Sequence, residues 1–226
     1  MADLFSQEPQ PTEGLDLAKE IAAGRRKFLE CQFAQAQVDR SDLTGAVFRQ
    51  CRFELASFKG AVLEGTEWVS CSIAGSDFDA SDCNDARFLK CNLANTSWRG
   101  AKLGSTHYED CKLTGANFSE LKLMVPSFLR CLLVSAYLRG ASFRKRTLEG
   151  LDFSDADLGG ADFRDTVLID CRLRGASLRS TRFQNADLRS SDLGALSLNN
   201  VDAFRGSVIS RNQATELLHG FGIQVV

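Results

Sequence analysis

Every fifth residue from Phe28 to Leu198 is large and apolar. Of these 35 positions 13 are Phe and 16 are Leu, the others being Val38, Trp68, Ile73, Cys83, Trp98 and Tyr108. None is charged. A period of five matches neither the 3.6 of a helix nor the 2 of a strand, so ordinary amphipathic elements are excluded. A second series lies two residues earlier in each unit and runs from Cys31 to Leu196; 29 of its 34 members are Ala, Ser, Thr or Cys. A bulky side chain beside a small one fills a narrow interior. The three remaining positions hold nearly all of the charge and 13 of the 18 glycines, ten of them two residues after the large one. Gly45, Gly60, Gly100, Gly140 and Gly160 each follow a large residue by two, where a corner needs dihedrals that glycine adopts freely. Each unit reads as two inward residues and an outward turn.

The cysteines set the number of units per coil. Cys31, Cys51, Cys71, Cys91, Cys111, Cys131 and Cys171 all occupy the small position and are spaced by 20 residues or a multiple of it. Twenty residues make four units, which predicts a four-sided coil with the cysteines stacked on one side. At the β-strand spacing, nearly nine such coils form a rod roughly 40 Å long.

The repeated unit resembles the A(D/N)LXX pattern of the pentapeptide-repeat family. It appears as Ala156-Asp157-Leu158-Gly159-Gly160, Ala161-Asp162-Phe163-Arg164-Asp165 and Ala186-Asp187-Leu188-Arg189-Ser190. The resemblance implies an all-β solenoid, a right-handed quadrilateral β-helix of about nine coils with short helical caps at both ends. The expected divisions are a tail and capping helix over 1–25, the repeats over 26–205, and a second capping helix with a dimerisation segment over 206–226.

Solenoid ends expose raw backbone and need covers. Asp16–Gly24 reads as a short helix with Leu17, Ala18, Ile21 and Ala22 on one face. Ser210-Arg211-Asn212-Gln213 reads as a capping box that opens a second helix. The stretch from Asn212-Gln213-Ala214 through Leu217-Leu218 to Phe221-Gly222-Ile223-Gln224-Val225 is similar to the end of the Qnr-type gyrase-protecting branch. That likeness implies a homodimer joined through its C-termini, with Leu217, Leu218, Phe221 and Ile223 at the contact.

Composition narrows the chemistry. The 226 residues are 44% apolar and 25% charged, with a formal net charge of −2. That excludes a nucleic-acid binder working through bulk basicity. No run approaches the roughly 18 apolar residues of a membrane span, and Met1–Gln10 lacks the basic-then-apolar opening of a signal peptide. The expected location is therefore cytoplasmic and the 8 Cys are expected to be reduced thiols. His107 and His219 are the two histidines, neither in a Ser-His-Asp or Cys-His grouping. A column of small inward residues explains the cysteines without a metal, and Trp68, Trp98 and Tyr108 read as core fillers. The chain reads as no enzyme, with no cofactor.

Function must then lie in the outer surface, where charge is segmented. Residues 60–86 carry acids, among them Asp77, Asp79, Asp82 and Asp85, with no Lys or Arg; residues 149–163 carry Asp152, Asp155, Asp157 and Asp162 with no base. One account is local: Asp beside the large residue serves corner hydrogen bonds. The other is that a rod of carboxylates imitates the phosphates of duplex DNA and binds a basic saddle. Together with the Qnr-type resemblance, the second implies a DNA mimic that binds DNA gyrase or topoisomerase IV and protects it from, or modulates its response to, inhibitors such as quinolones. The rival is an interaction scaffold with another protein partner. Long projecting loops, which contribute to gyrase protection in the Qnr-type branch, are absent. Pro126 and Arg146 break the small series one coil apart, and a bulge carrying Arg144-Lys145-Arg146 is expected there.

Overall fold

Each pentad lays one side of a four-sided parallel solenoid, and four pentads return the chain to the same side one level higher. The computed structural model describes residues 15–121, 126–194, 202–220 and 222–225. Side one carries the strands: β1 (Lys27–Leu29), β2 (Val47–Arg49), β3 (Glu67–Val69), β4 (Arg87–Leu89), β5 (His107–Glu109), β6 (Ser127–Leu129), β7 (Thr147–Glu149) and β8 (Val167–Ile169). They run in parallel and in sequence order, with β1 to β6 in one sheet and β7 with β8 in another. Register is one coil throughout, as in Phe28 opposite Phe48 and Phe48 opposite Trp68. The other sides are single bridges, Gln32 to Arg52 on side two, Gln37 to Ser57 on side three and Asp42 to Val62 on side four. From β1 to β8 there are seven regular turns, slightly fewer than the nine expected. Single bridges from Val167 to Asp187 and from Asp187 to Val208 carry side one further.

One corner explains the rest. The Ala36 N–H donates to the Phe33 carbonyl at 3.0 Å, closing a four-residue turn, while the Gln35 N–H donates to Glu54 O of the next coil at 2.9 Å. Gln35 therefore has φ of 59°, and Asp85, Asn95 and Arg40 take the same left-handed form at 58°, 57° and 56°. Glycine is the cheapest occupant of such a corner. The bond to the coil above holds other residues there as well, which is why only some corners carry it.

The interior is a pile of rings. On side one Phe28, Phe48, Trp68, Phe88, Tyr108 and Phe128 stack in order, with successive centroids 5.1, 4.2, 5.6, 4.9 and 5.4 Å apart. On side three Phe58, Phe78, Trp98 and Phe118 do the same. The Trp68 and Trp98 indoles donate to Thr66 and Thr96 Oγ1 at 3.0 and 2.8 Å, so both buried N–H groups are satisfied. Tyr108 differs: its buried hydroxyl has no hydrogen-bond partner. Burial pushes that phenol well above its ordinary pKa. Tyr108→Phe keeps the stack and removes the orphan, so it is expected to stabilise the protein by about 1 kcal/mol. A chemical melt of both forms checks this, and a lower midpoint for the variant would refute it.

Both ends are covered. Helix α1 (Leu17–Ala22) is opened by Asp16, whose Oδ1 accepts from Ala18 and Lys19 N–H, and it buries Leu17 and Ile21. The Arg26 guanidinium then donates to Ile21 O at 2.9 Å. At the far end a 3-10 turn (Asp202–Phe204) precedes helix α2 (Arg211–Gly220). The expected capping box is present: Ser210 N–H donates to Gln213 Oε1 and Gln213 N–H to Ser210 Oγ. Gln213 also donates Nε2 to the Leu188 and Ser191 carbonyls. One side chain thus caps the helix and the open edge of the last coil.

Candidate partner-binding surface

The eight carboxylates singled out from the sequence do not share one face. Asp77, Asp79 and Asp157 project from side three, Asp82, Asp85 and Asp162 from side four or its corner, and Asp152 and Asp155 from side two. Most are also occupied. Lys59 lies 3.0 Å from Asp77, Arg99 2.6 Å from Asp79 and Lys102 2.8 Å from Asp82. Arg172 pairs with Asp152 at 3.3 Å and Arg139 with Asp157 at 2.6 Å; Asp162 takes both Arg164 and Arg182, at 2.7 and 3.0 Å. Asp85 and Asp155 stand exposed at corners, outside every ion pair formed among the described residues. The acidic stretches lack bases along the chain, but 18 or 20 residues away is next door in a 20-residue coil.

The local role is equally plain. Asp77, Asp82, Asp152, Asp157 and Asp162 each accept through Oδ1 the backbone N–H two residues on, at 2.9 to 3.3 Å. These are Asx turns that steer the chain round the corner. Hydrogen bonding from Arg164 is the chief cause holding the Asp162 carboxyl below its ordinary 3.8; desolvation opposes it, and the Arg164 N–H and Arg182 assist. Burial pushes Asp79 up, yet bonds from Arg99 and Ser97 outweigh it and leave that carboxyl lowered too. A carboxyl lowered by folding binds its proton more weakly in the native state. Its stabilisation is complete well above 3.8 and is lost as pH falls from there through the folded value. The melting temperature is expected to hold between pH 7 and about 5 and to fall below 3.8. Asp162→Asn should lower the neutral-pH plateau and flatten the acid limb; an unchanged acid limb would refute the assignment.

At the C-terminal end, Leu217 is half-buried and Leu218 is exposed, and Ile223 and Val225 are 50% and 45% exposed. Phe221 lies outside the described residues. The Ile223 N–H donates to Leu218 O and the Gly222 N–H to His219 O, with Gly222 at φ of 74°. This is a Schellman stop, which sets Ile223 beside Leu218. The Qnr-like stretch thus presents aliphatic side chains outward. Sequence patterning did not single out Leu55, Leu132 and Tyr137, which stand 62%, 44% and 53% exposed on sides two and three. All occupy outward positions normally polar, a signal available in the pentad phase.

The Pro126–Arg146 column departs from the expectation in form. Residues 122–125 of the expected bulge lie outside the described residues. At Arg146 there is no extra turn: its N–H donates to Phe143 O at 3.2 Å and Lys145 has φ of 59°, as at any corner. The side chain is half-buried, and its Nη1 donates to the Pro126 carbonyl at 3.0 Å. The irregularity is therefore between coils and not along one.

All eight cysteines are free and buried. Burial pushes the Cys83 and Cys171 thiols up to about 12 and about 11, whereas within the cysteine column hydrogen bonding from Cys51 and Cys131 lowers Cys71 and Cys111. Among the described residues no group of three or more His, Cys, Asp and Glu side chains is placed to hold a metal. No helix among them is long and apolar enough to cross a membrane.

A four-sided parallel solenoid, filled by one large and one small residue per pentad, defines a repeat protein of the β-solenoid class. Family profiles agree: the pentapeptide repeat region matches residues 63–138, and pentapeptide repeats match 28–65, 131–168 and 156–194. The chain belongs to the pentapeptide-repeat family. Its fold is similar to that of full-length QnrB1, a plasmid-mediated fluoroquinolone resistance protein, at 23% identity and a TM-score of 0.64 over 87% of this chain and 99% of that one. A trypsin-treated QnrB1 variant aligns at 24% identity and a TM-score of 0.53, covering 88% and 90%. HetL, a pentapeptide-repeat protein involved in heterocyst differentiation regulation in the cyanobacterium Nostoc, aligns at 22% identity and a TM-score of 0.47, covering 84% and 90%. No curated protein matches the chain.

Proposed function

We propose that the protein is a non-enzymatic rod that binds a type II topoisomerase, DNA gyrase or topoisomerase IV, and modulates that enzyme's response to inhibitors such as quinolones. One observation carries the reading: the likeness in fold to a fluoroquinolone resistance protein extends over 99% of that protein's chain. The reading puts the protein in the cytoplasm with its target. A gyrase supercoiling assay titrated with this protein, with and without a quinolone, tests it. The expected result is a shifted inhibitor response; supercoiling and drug inhibition both unmoved at a large excess of protein would overturn it.

DNA mimicry is the finer part of this proposal, with Asp77, Asp79, Asp82, Asp85, Asp152, Asp155, Asp157 and Asp162 as the contacts. Reversing Asp77, Asp79 and Asp82 to Lys, or Asp152, Asp155 and Asp157, should slow association and reduce its salt dependence. If both triple variants act on gyrase as the parent does, these carboxylates are not the contact. The second reading, a scaffold for a different protein, is favoured by the alternating charge that the ion pairs create. The same assay separates the two.

The C-terminal segment is proposed to form a two-fold dimer through Leu217, Leu218, Phe221 and Ile223, because a closed symmetric contact would hide aliphatic surface that capping alone leaves wet. Light scattering at micromolar concentration should give twice the 24.8 kDa chain mass. Leu218→Asp combined with Ile223→Asp should give the monomer. A monomeric parent would refute the dimer.

A further inference from the structure

We propose that the open edge of the first coil is a strand-pairing site for this chain's own N-terminal segment, with Ala2-Asp3-Leu4-Phe5-Ser6 seated on side three as a detached pentad. The edge comes first. In the second coil the Arg52, Ser57 and Val62 N–H groups donate to the Cys31, Ala36 and Ser41 carbonyls below. Their counterparts in the first coil are Gln32, Gln37 and Asp42, and among the described residues no backbone carbonyl accepts these N–H groups. Acceptors go unused as well. The Ser57 carbonyl takes the Val38 N–H, whereas no backbone N–H of the described residues reaches the Gln37 carbonyl. A row of unpaired donors and acceptors is a template for one more strand.

Helix α1 covers this edge only in part. Between its first turn and sides two and three runs a groove of about 470 Å³, lined among others by Leu15, Leu17, Phe33, Ala36 and Val38. The small column of side three shows what is missing. Ala56 and Ala116 are buried in later coils, but Ala36 in the same column is only half-buried. On side two the small residue, Cys31, is already buried. The uncovered place is therefore below side three.

The chain carries a segment of the right kind. Ala2-Asp3-Leu4-Phe5-Ser6 repeats Ala186-Asp187-Leu188-Arg189-Ser190 at four of five positions. Counting back in fives from Phe28 reaches Asp3 and not Leu4, so this pentad is no continuous extension of the rod. The eight residues Gln7–Gly14 join it to Leu15, and such a length spans up to roughly 27 Å. Leu15 itself lines the groove, so the reach is ample. Pro9 and Pro11 lack N–H groups, which keeps the connector out of a ladder and leaves the pentad as the pairing unit.

Matching sizes sets the register. Ala2 belongs under Ala36 and Leu4 under Val38, small on small and large on large as in the coils above. Asp3 then opposes Gln37. The Gln37 N–H would donate to Ala2 O and the Leu4 N–H to Gln37 O, repeating the bonds that Ser57 makes with Ala36 and Val38. The Asp3 carboxylate would accept the Phe5 N–H, in the turn that Asp187 makes with Arg189. Seated so, the segment closes an edge that otherwise invites a second copy to stack on the end of the rod.

Hydrogen exchange on the full chain tests the site. The Gln37 amide should exchange roughly tenfold slower in the parent than in Leu4→Asp or in a variant lacking residues 2–6. The Ser57 amide, one coil above, should not change, which separates loss of the segment from loss of the coil. Leu4→Ile keeps an apolar side chain of the same size and should keep Gln37 protected. Protection in the parent should be independent of protein concentration. Gln37 exchanging equally fast in the parent and in Leu4→Asp would overturn the proposal. So would protection that rises with concentration, since it assigns the edge to a second copy.

Discussion

Trp68→Ala is expected to cost about 4 kcal/mol, in the range for deleting a large ring from a packed interior. The indole lies at the most crowded point of the ring pile. Its centroid is 4.2 Å from Phe48, 5.0 Å from Phe53, 5.6 Å from Phe58 and 5.6 Å from Phe88, with Phe78 at 6.4 Å. These neighbours come from three sides and three coils. None can collapse into the vacated space without dragging its own ladder bonds, so the hole stays open. In a solenoid each coil contacts only its neighbours, which makes the loss local at first. Amides of β2, β3 and β4 should lose protection before those of β8. Trp68→Phe keeps a stackable ring, gives up only the indole bond to Thr66, and should cost under about 1.5 kcal/mol. Denaturant melts of the two variants, paired with hydrogen exchange, check both values. Equal costs for Ala and Phe would show that the stack contributes little.

Much of this was legible because the repeat fixes three-dimensional neighbours by arithmetic. Phase five named the core from Phe28 to Leu188, and the cysteine interval gave the coil length. The same arithmetic, carried one step further, would have exposed the ion pairs: Asp79 and Arg99, or Asp82 and Lys102, differ by one coil. Scanning the charge along the chain, and not down the column, made paired carboxylates look like an acidic run. Corner conformation was legible only in part. Glycine marks the left-handed corners at Gly60 and Gly100, but Arg40 and Asp85 adopt them because an inter-coil bond compels it, and no residue type announces that. In the Pro126–Arg146 column the odd residues were visible. What they do was not, since a guanidinium capturing a carbonyl leaves the pentad count unchanged.

Cys71→Arg is expected to unfold the middle coils, at a cost of roughly 3–5 kcal/mol for an unpaired charge forced inside. The Cys71 thiol donates to Phe48 O of the coil below at 3.4 Å and has Cys51 below and Cys91 above it in the column. Cys71→Ala removes only a weak donor from a tight slot and should cost on the order of 1 kcal/mol. Arg146 gives the comparison. It tolerates a corner column because it is half-buried and can reach a carbonyl whose ladder donor is missing. At Cys71 every such carbonyl is already taken: Ser72 N–H donates to Cys51 O and Asn92 N–H to Cys71 O. An arginine there must either displace one of those bonds or stay unpaired, and the flanking rings Trp68 and Phe48 leave no path outward. Loss of the cooperative melt in Cys71→Arg, with a near-parental melt in Cys71→Ala, is the expected pair of results. A cooperative Cys71→Arg melt within about 1 kcal/mol of the parent would mean that this column can turn a guanidinium outward as the Arg146 corner does, and that the tightness ascribed to the Cys71 slot is misplaced.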